Sequence, residues 1–359
     1  MKILDRYIVR KFLSAFVLSI VLLLFIIIAF DISEKIDDFI DRKAPFSAIL
    51  VQYYLNFIPY FINLFSPLFV FISVVFVTSR MAGNTEIVAI LTGGVSFRRM
   101  LYPFILTAFF LGLVTFFLQN FLIPPANQKR LEFEALYVKK HIPVGTRNIH
   151  MQIAPGQYVF IESFNFQTRK GVHFTLESID FEEGMSRKIS ADVASFDSIS
   201  GMWMLTNVYD RRINDSIESM HYYARKDTIL ALHPDDFNKE AGNVEVMNIF
   251  ELNDYIAQQK MRGADNVSFL LVERHRRIAF PFATVILTLI GVSLSSRKTR
   301  GGTGIHLFFG LSLSFAYILL MQFSATFATN GNMPAIIAVW IPNIVFGVTA
   351  YMLFRIAPK

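Results

Sequence analysis

The sequence predicts an α+β membrane protein in which two groups of three transmembrane helices flank one inserted β domain. Mean hydropathy is +0.45, with 53% hydrophobic and only 17% charged residues, which is too apolar for an ordinary soluble domain. The apolar residues are concentrated in six long stretches, three on each side of about 150 residues of mixed polarity. Short segments rich in β-branched and aromatic residues recur in that central region.

Six stretches reach the length of about 20 mainly apolar residues that an α-helix needs to cross a bilayer. They cover residues 12–30, 49–77, 101–123, 278–294, 305–324 and 335–354. The second contains Pro59 and Pro67, and we expect one kinked or tilted helix there rather than two spans. The first is longer than the apolar region of a signal peptide and is followed by no small-residue cleavage site, so it predicts a retained helix.

The distribution of Lys and Arg predicts the orientation, because short cytoplasmic segments carry an excess of these residues. Twelve lie on the side of the two termini, at positions 2, 6, 10, 11, 80, 98, 99, 297, 298, 300, 355 and 359. The short segments 31–48 and 325–334 on the other side hold only Lys35, Arg42 and Lys43, among five acidic residues. We therefore expect both termini in the cytoplasm and the large inserted domain on the opposite side.

Composition and motifs exclude several classes of function. The net charge of +6 is explained by basic residues at the inner face of a membrane, so nucleic-acid binding is not expected. The chain has no cysteine, which excludes disulfides, Cys-ligated zinc and thiol chemistry. The P-loop, H-E-x-x-H and G-x-S-x-G motifs are absent, and the seven histidines are scattered. We expect no cofactor, metal or catalytic site, so work against a gradient would need an ATP-hydrolysing partner.

The central region is predicted to be β structure followed by a helix. Residues 157–162, 172–177 and 203–209 are typical of strands, and Glu183-Gly184 and Ser200-Gly201 are turn signals between them. Strands at this spacing favour a sandwich, a barrel or a jelly roll. From about Asn248 to Met261 the pattern changes to a polar helix that Gly263 ends.

The loop between the second and third spans, residues 79–100, is a candidate docking element. Asn84 is placed to cap a short helix with Glu86 in its first turn and Gly93-Gly94 at its end. Ile87, Ile90 and Leu91 would then share one apolar face. Such a helix can dock into a groove of a soluble partner, or it can rest on lipid headgroups.

A basic cluster, Glu273-Arg274-His275-Arg276-Arg277, directly precedes the fourth span on the outer side. Arginines there run against the positive-inside trend. Their side chains can extend to lipid headgroups or pair with Glu273, and the residues alone favour this structural interpretation. The alternative is recognition of an anionic lipid, because guanidinium groups bind phosphate with fork geometry.

Together these segments resemble the LptF/LptG permeases of the lipopolysaccharide exporter, the YjgP/YjgQ family. The resemblance spans nearly the whole chain. No single segment is specific, and the resemblance lies in their order, spacing and topology. The segments are Leu4-Asp5-Arg6-Tyr7-Ile8, Thr85-Glu86-Ile87-Val88, Gly93-Gly94-Val95-Ser96, Glu251-Leu252-Asn253-Asp254-Tyr255-Ile256, Arg276-Arg277-Ile278-Ala279-Phe280-Pro281, residues 297–302, Pro334 and Trp340-Ile341-Pro342-Asn343. The amino-terminal segment is more similar to LptG than to LptF.

The resemblance implies three regions and a transport function. Residues 1–123 would form spans one to three with the coupling loop 79–100, residues 124–262 a periplasmic β-jellyroll with its connecting helix, and residues 263–359 spans four to six. The chain would pair with a second LptF/LptG-type subunit and an LptB-like cytoplasmic ATPase dimer in the inner membrane of a Gram-negative bacterium. Lipopolysaccharide would pass through the jellyroll to LptC/LptA-like periplasmic proteins.

The resemblance also implies the site residues. Glu86 occupies the position whose glutamate meets the ATPase, with Ile87, Ile90 and Leu91 beside it. Arg277 matches a basic position at the edge of the lipid cavity, which favours phosphate contact for Arg274, Arg276 and Arg277. The family's LptG-like chains can carry lysines at the outer end of the first helix, whereas residues 31–38 here are mostly acidic and would repel phosphate. Phosphate contact there would then fall to Lys35, Arg42 and Lys43.

Two other classes of function compete with this interpretation. One is an ABC-type permease for another envelope lipid or for lipoprotein, although a lipoprotein-releasing permease has four spans with its large domain after the first. The other is a membrane scaffold whose β domain binds periplasmic partners without transport, which rarely needs six spans. An intramembrane enzyme would need paired catalytic groups, whereas the predicted spans contain almost no ionisable residue apart from His306.

Overall fold

The structure is a computed structural model that describes residues 3–138, 145–180, 184–198, 200–214, 217–237, 242–264, 266–298, 302–331 and 333–357. Of the residues used in the sequence analysis, Lys2, Glu183, Thr299, Arg300, Gly301 and Lys359 lie outside these ranges. Within them, contacts divide the chain into two compact units. One comprises described residues of 1–139, 244–252 and 268–359, and the other comprises described residues of 140–243 and 253–267.

Six helices in the described residues are long and apolar enough to cross a membrane, as predicted. They are α1 (Ile3–Asp41), α2 (Phe46–Gly83), α4 (Phe97–Tyr137), α7 (Val267–Ser295), α8 (Gly302–Asn330) and α9 (Ala335–Ile356). Three shorter helices are α3 (Glu86–Thr92), α5 (Gly242–Glu245) and α6 (Ile249–Met261). The helix predicted from 248 to 261 is thus confirmed, and Gly263 follows it with φ +64°.

Most of the spanning helices extend well beyond their apolar stretches. The first continues to Asp41, so the acidic residues 31–38 lie on the helix itself. Pro59 and Pro67 lie inside α2, which is one helix with a π-helical start at Ile49–Tyr54. The third runs on to Tyr137, and its last turns belong to the helical unit, whereas the sequence placed residues 124–138 in the outer domain. An apolar stretch predicts the part of a helix that can lie in the membrane. The helix itself continues beyond this stretch wherever the backbone hydrogen-bond pattern continues.

One of the apolar clusters of the helical unit includes three residues of α7. Ala283, Leu287 and Ile290 of this helix pack with residues of α2, α8 and α9. A Cβ added to Gly291 would lie 3.0 Å from Val74 Cγ1, and one added to Gly112 would lie 3.1 Å from the Pro281 carbonyl oxygen. Small residues at helix crossings let backbones approach closely, which supplies packing energy between helices in a membrane.

The inserted domain is one six-stranded antiparallel sheet. Its strands are β1 (Gly145–Ala154), β2 (Gln157–Asn165), β3 (Lys170–Asp180), β4 (Gly184–Asp197), β5 (Met202–Asn214) and β6 (Ile217–Thr228). The three predicted strand segments lie in β2, β3 and β5. The strand order is β1-β2-β3-β4-β5-β6, so every strand pairs with its neighbours in the chain.

The predicted fold class is confirmed, because an antiparallel β domain lies between the third and fourth spans. Its described strands follow one another in up-and-down order. Pairing of sequence neighbours is the common outcome when successive strands are joined by short connections.

The buried face of the sheet ends in a charged cluster around Asp210. Ile161, Phe174, Ile189 and Trp203 are among its apolar core residues. The Asp210 carboxylate is 1% exposed and accepts hydrogen bonds from Arg187 Nε and Nη2 at 2.8 and 2.7 Å and from Lys226 Nζ at 2.8 Å. The hydrogen bonds from Arg187 lower the pKa of Asp210 far below its usual value, burial opposes this, and Lys226 adds to it.

We expect Asp210→Asn to destabilise the β domain at neutral pH by about 2 kcal/mol, since Arg187, Lys226 and the more distant Arg212 lose their charged partner. Because the folded pKa is lowered, the carboxylate stabilises the domain above the unfolded pKa of about 4, and this contribution is lost as pH falls below it. Thermal unfolding of the full chain, followed by Trp203 fluorescence in a Trp340→Phe background, measures both effects.

The exposed carboxylate of Asp227 provides the matched control for this prediction. Its side chain is 48% exposed and pairs with Arg225 on β6. Asp227→Asn should leave the midpoint and its pH dependence nearly unchanged. Equal loss of stability at pH 3 and pH 7 in Asp210→Asn would contradict the assignment of the acid sensitivity to this carboxylate.

Candidate functional site

The loop 79–100 forms the short helix α3, and its start differs from the prediction. Thr85, not Asn84, occupies the N-cap position, with φ +60° and no capping hydrogen bond from its side chain. The Asn84 side chain instead donates to Glu86 Oε1 at 3.3 Å. The predicted end is confirmed, because Gly93 N donates to the Ala89 carbonyl at 3.0 Å and Gly94 adopts φ +82°.

The two faces of α3 have opposite environments. Ile87 is 2% exposed, and Ile90 and Leu91 pack against the same apolar cluster, which contains residues of α1, α2, α4 and α7. The predicted apolar face is therefore turned into the helical unit. Val88, which is 56% exposed, lies on the outward face with Ala89 and Thr92.

Glu86 is held by side chains from the start of α1. Tyr7 Oη donates to Glu86 Oε2 at 2.8 Å, and Lys11 Nζ lies 3.1 Å from both carboxylate oxygens. Partial burial alone would raise the pKa of Glu86, but the hydrogen bonds from Tyr7, Lys11 and Asn84 bring it below its usual value. The carboxylate is thus charged at neutral pH and keeps one quarter of its side chain exposed.

A cavity of about 310 Å³ lies within the helical unit. Most of its wall is apolar and comes from α2, α7 and α8, including Leu64, Leu68, Phe280, Ile318 and Met321. The remaining wall is polar and includes Tyr60, Asn63, Asn127, Glu245, Glu273, Arg276 and Arg277. An apolar space with polar and charged groups on one part of its wall suits an amphiphilic ligand.

Arg277 has little capacity left for a ligand. Its side chain is 2% exposed, and all three guanidinium nitrogens are used within the chain. Nη1 donates to the Met247 carbonyl at 2.7 Å, Nη2 donates to the Val244 carbonyl at 2.8 Å, and Nε donates to Glu273 Oε1 at 3.2 Å. Arg277 therefore ties α7 to the segment 244–247.

Arg276 is the more available cation at the cavity wall. Its side chain is 48% exposed, and its contact at 2.6 Å is with the other carboxylate oxygen of Glu273. Arg274 Nη2 lies 3.1 Å from His275 Nε2, and Arg274 is not among the cavity residues. Of the three arginines in the basic cluster, Arg276 has the geometry that suits an anionic group.

The basic residues near the end of α1 lie apart from the cavity lining. Lys35 contacts Asp31 at 2.8 Å and Glu134 at 3.8 Å, and it also donates to the Tyr53 hydroxyl. Arg42 donates to the Leu136 carbonyl at 3.1 Å. Lys43 is exposed just after the helix, with φ +52°. The structure thus does not bring these three residues together with Arg276.

Comparison with protein families decides the assignment. The family described as lipopolysaccharide export system permease LptF/LptG matches residues 6–356. The chain belongs to the LptF/LptG family. Comparison with curated proteins finds no match. Membership and the six apolar helices together identify a multi-pass inner-membrane protein that is a permease component of lipopolysaccharide export.

The LptF/LptG match covers both subunit types, so the LptG-like character of the amino terminus stays a prediction. The roles of Glu86, Ile87, Ile90 and Leu91 in coupling, and of the six basic residues in lipid contact, also stay predictions. Sequence reasoning missed the partners of these residues. Tyr7 lies in the segment 4–8, which was noted only for its resemblance, and Lys11 was counted only among the basic residues of the amino terminus. The polar cavity residues Asn63 and Asn127 were not singled out.

Proposed function

We propose that this LptF/LptG-family chain is one of two permease subunits of an ATP-driven exporter that extracts lipopolysaccharide from the inner membrane and passes it to a periplasmic bridge. The observation that carries the proposal is α3, a short helix fixed to the helical unit by one face and exposed on the other. Since the chain has no P-loop of its own, energy has to arrive from a partner, and α3 is suited to receive it.

The outward face of α3 is the proposed contact with an LptB-like cytoplasmic ATPase. Ile87, Ile90 and Leu91 hold the helix in place, so the contact itself would be made by Val88, Ala89 and the exposed part of Glu86. A helix with an exposed apolar side chain docks into a groove of its partner. The excess of Lys and Arg on the side of the two termini supports a cytoplasmic position for this loop and a periplasmic position for the β domain.

The cavity supports the choice of a lipid as substrate. Its apolar wall can accept acyl chains, and Arg276 at its polar wall can bind a phosphate by charge-assisted hydrogen bonds. Asn63 and Asn127 are 4% and 0% exposed, and their Oδ1 atoms have no hydrogen-bond partner, which leaves acceptors for a headgroup or water.

Two further surfaces support the proposed partners. The most apolar windows of α1 and α8 are only 17% and 28% buried, compared with 56% for α2 and α7, so these two helices offer faces to a second permease subunit. Strands β1 and β6 are the edges of the described sheet, and an extended strand of an LptC/LptA-like protein can add to such an edge.

Purification of the tagged chain from membranes tests the proposal. We expect a second six-span permease, an ATPase and bound lipopolysaccharide to copurify. With Arg276→Glu, the lipopolysaccharide retained per complex should fall about tenfold, or about 1.4 kcal/mol, because a carboxylate would then face the phosphate. Lys129→Glu is the control, since Lys129 is an exposed basic residue outside the cavity lining. Purification with a different lipid, or equal loss in both variants, would contradict the lipid assignment.

A further inference from the structure

The first turns of α1 contact the loop 79–100 at both of its ends. Asp5 is 3% exposed although it carries a charge. Arg99, in the first turn of α4, donates from Nη2 to Asp5 Oδ2 at 2.8 Å, and its Nη1 lies 2.7 Å from Asp5 Oδ1. This is a two-point guanidinium–carboxylate contact, a geometry that fixes the direction of both side chains.

The second contact is made nearer the start of the loop, by residues about half a turn and about one and a half turns further along α1. Lys11 and Tyr7 both bind the Glu86 carboxylate, and Lys11 Nζ also lies 4.2 Å from the centre of the Tyr7 ring. Between the two polar contacts, Ile8 and Phe12 of α1 belong to the same buried cluster as Ile87 and Phe97. The loop is therefore fixed to α1 by these buried apolar contacts and by two ion pairs, Asp5 with Arg99 and Lys11 with Glu86.

The apolar middle of α1 is lightly covered, since its most apolar window is only 17% buried. Its far end is held separately, because Asp31 accepts hydrogen bonds from the Tyr53 and Tyr54 hydroxyls and Lys35 lies 3.8 Å from Glu134. The amino-terminal contacts are therefore the ones that join α1 to the loop 79–100. Displacement of the loop would be transmitted through them to the first turns of α1.

We propose that Asp5, Tyr7 and Lys11, together with Arg99, are positioning residues that make α1 move with the loop 79–100 when the ATPase displaces it. This inference rests on the proposed function of the loop. In this arrangement Glu86 serves as an anchor for α1 as well as part of the docking face. The amino-terminal turns of α1 thereby belong to the coupling apparatus, although they are not expected to touch the ATPase or the lipid.

The test uses the purified complex in proteoliposomes that contain lipopolysaccharide, with a soluble periplasmic acceptor. Lipopolysaccharide transferred and ATP hydrolysed are measured in the same sample for Asp5→Arg, Arg99→Asp and the double swap. We expect the lipid transferred per ATP to fall about tenfold in each single variant and to recover in the swap, because coupling energies of this kind are typically a few kcal/mol or less. An unchanged ratio in the single variants would overturn the proposal.

Milder variants keep the test decisive if the charge reversals prevent folding. Tyr7→Phe with Lys11→Gln removes the bonds to Glu86 and leaves the pair of Asp5 and Arg99 intact. The control is Arg10→Gln, which removes one exposed basic side chain from the same turn. A fall in the transfer ratio in the double variant and not in the control supports the proposal, and equal ratios in all three proteins contradict it.

The experiments distinguish failure of the positioning role of Asp5, Tyr7, Lys11 and Arg99 from failure of the proposed function of α3. If Val88→Asp leaves the ATPase bound and active, the loop is not the docking site, and the proposed function of α3 falls. If Val88→Asp releases the ATPase while the Asp5 and Arg99 variants keep their transfer ratio, the docking site stands and only the positioning role falls.

Discussion

Replacing Arg277 by alanine is expected to destabilise the protein so strongly that most of the folded chain is lost from membranes that express it. The substitution leaves the carbonyls of Val244 and Met247 without their donor and leaves the mostly buried carboxylate of Glu273 with Arg276 as its remaining cation. Breaking a buried ion pair from one side costs about 3 kcal/mol or more, since the remaining charge has lost its partner. The yield of monodisperse protein in detergent and its thermal unfolding midpoint measure the loss.

The neighbouring arginine gives a matched control. Arg276→Ala removes a half-exposed side chain with one contact, at the next position of the same helix. It should leave yield and unfolding midpoint almost unchanged while lowering the amount of lipopolysaccharide retained. If Arg277→Ala were as stable as Arg276→Ala, the attachment of α7 to the segment 244–247 would be unimportant for folding, and phosphate contact by Arg277 would again be the better interpretation.

Val88→Asp is expected to abolish stable binding of the proposed ATPase partner while the membrane subunit still folds. Val88 is 56% exposed, so an aspartate there remains solvated in the free subunit. In a docked complex the same carboxylate would be buried in a groove, and changes at the centre of an interface can weaken binding by about 2 kcal/mol or more. Copurification of the ATPase and ATP hydrolysis by the reconstituted complex report the effect.

Val88→Thr controls for shape, because it keeps the branched side chain and adds no charge. Normal ATPase binding with both substitutions would place the docking surface elsewhere. Glu86→Lys is also expected to uncouple ATP hydrolysis from lipid export, but it breaks the contacts with Tyr7 and Lys11 at the same time. Val88 is therefore the sharper probe of docking alone.

The sequence predicted the membrane spans because apolar stretches of about 20 residues are rarely found in anything but transmembrane helices. It predicted helix ends poorly, since the charged turns at 31–41 and 128–137 remain helical outside the apolar stretch. Strands β2, β3 and β5 carry clear β-branched and aromatic patterns. In contrast, β6 is exposed along nearly its whole length and has no buried alternation to recognise.

The candidate site was predicted by position more than by contact. Arg277 could not be separated from Arg276 by sequence, because the carbonyls that occupy it come from residues about 30 positions earlier. Asp5 did offer a signal, since it shares a helix face with Ile8, Phe12 and Phe16. A carboxylate on an apolar face needs a cation, and this rule would have directed attention to the basic residues of the loop.

The close packing of α7 against α2, α4 and α9 has a consequence for the proposed transport cycle. Gly291 admits Phe71 and Val74 of α2, Gly112 admits the backbone at Pro281, and Asn343 of α9 donates to the Ala279 carbonyl. Rotation of α7 about its own axis would break the hydrogen bond from Asn343 and, at the other height, turn larger side chains towards Phe71 and Val74. We therefore expect α7 to remain stationary as the pivot of each turnover, and distances between spin labels on α7 and α2 should stay constant while those to α1 change.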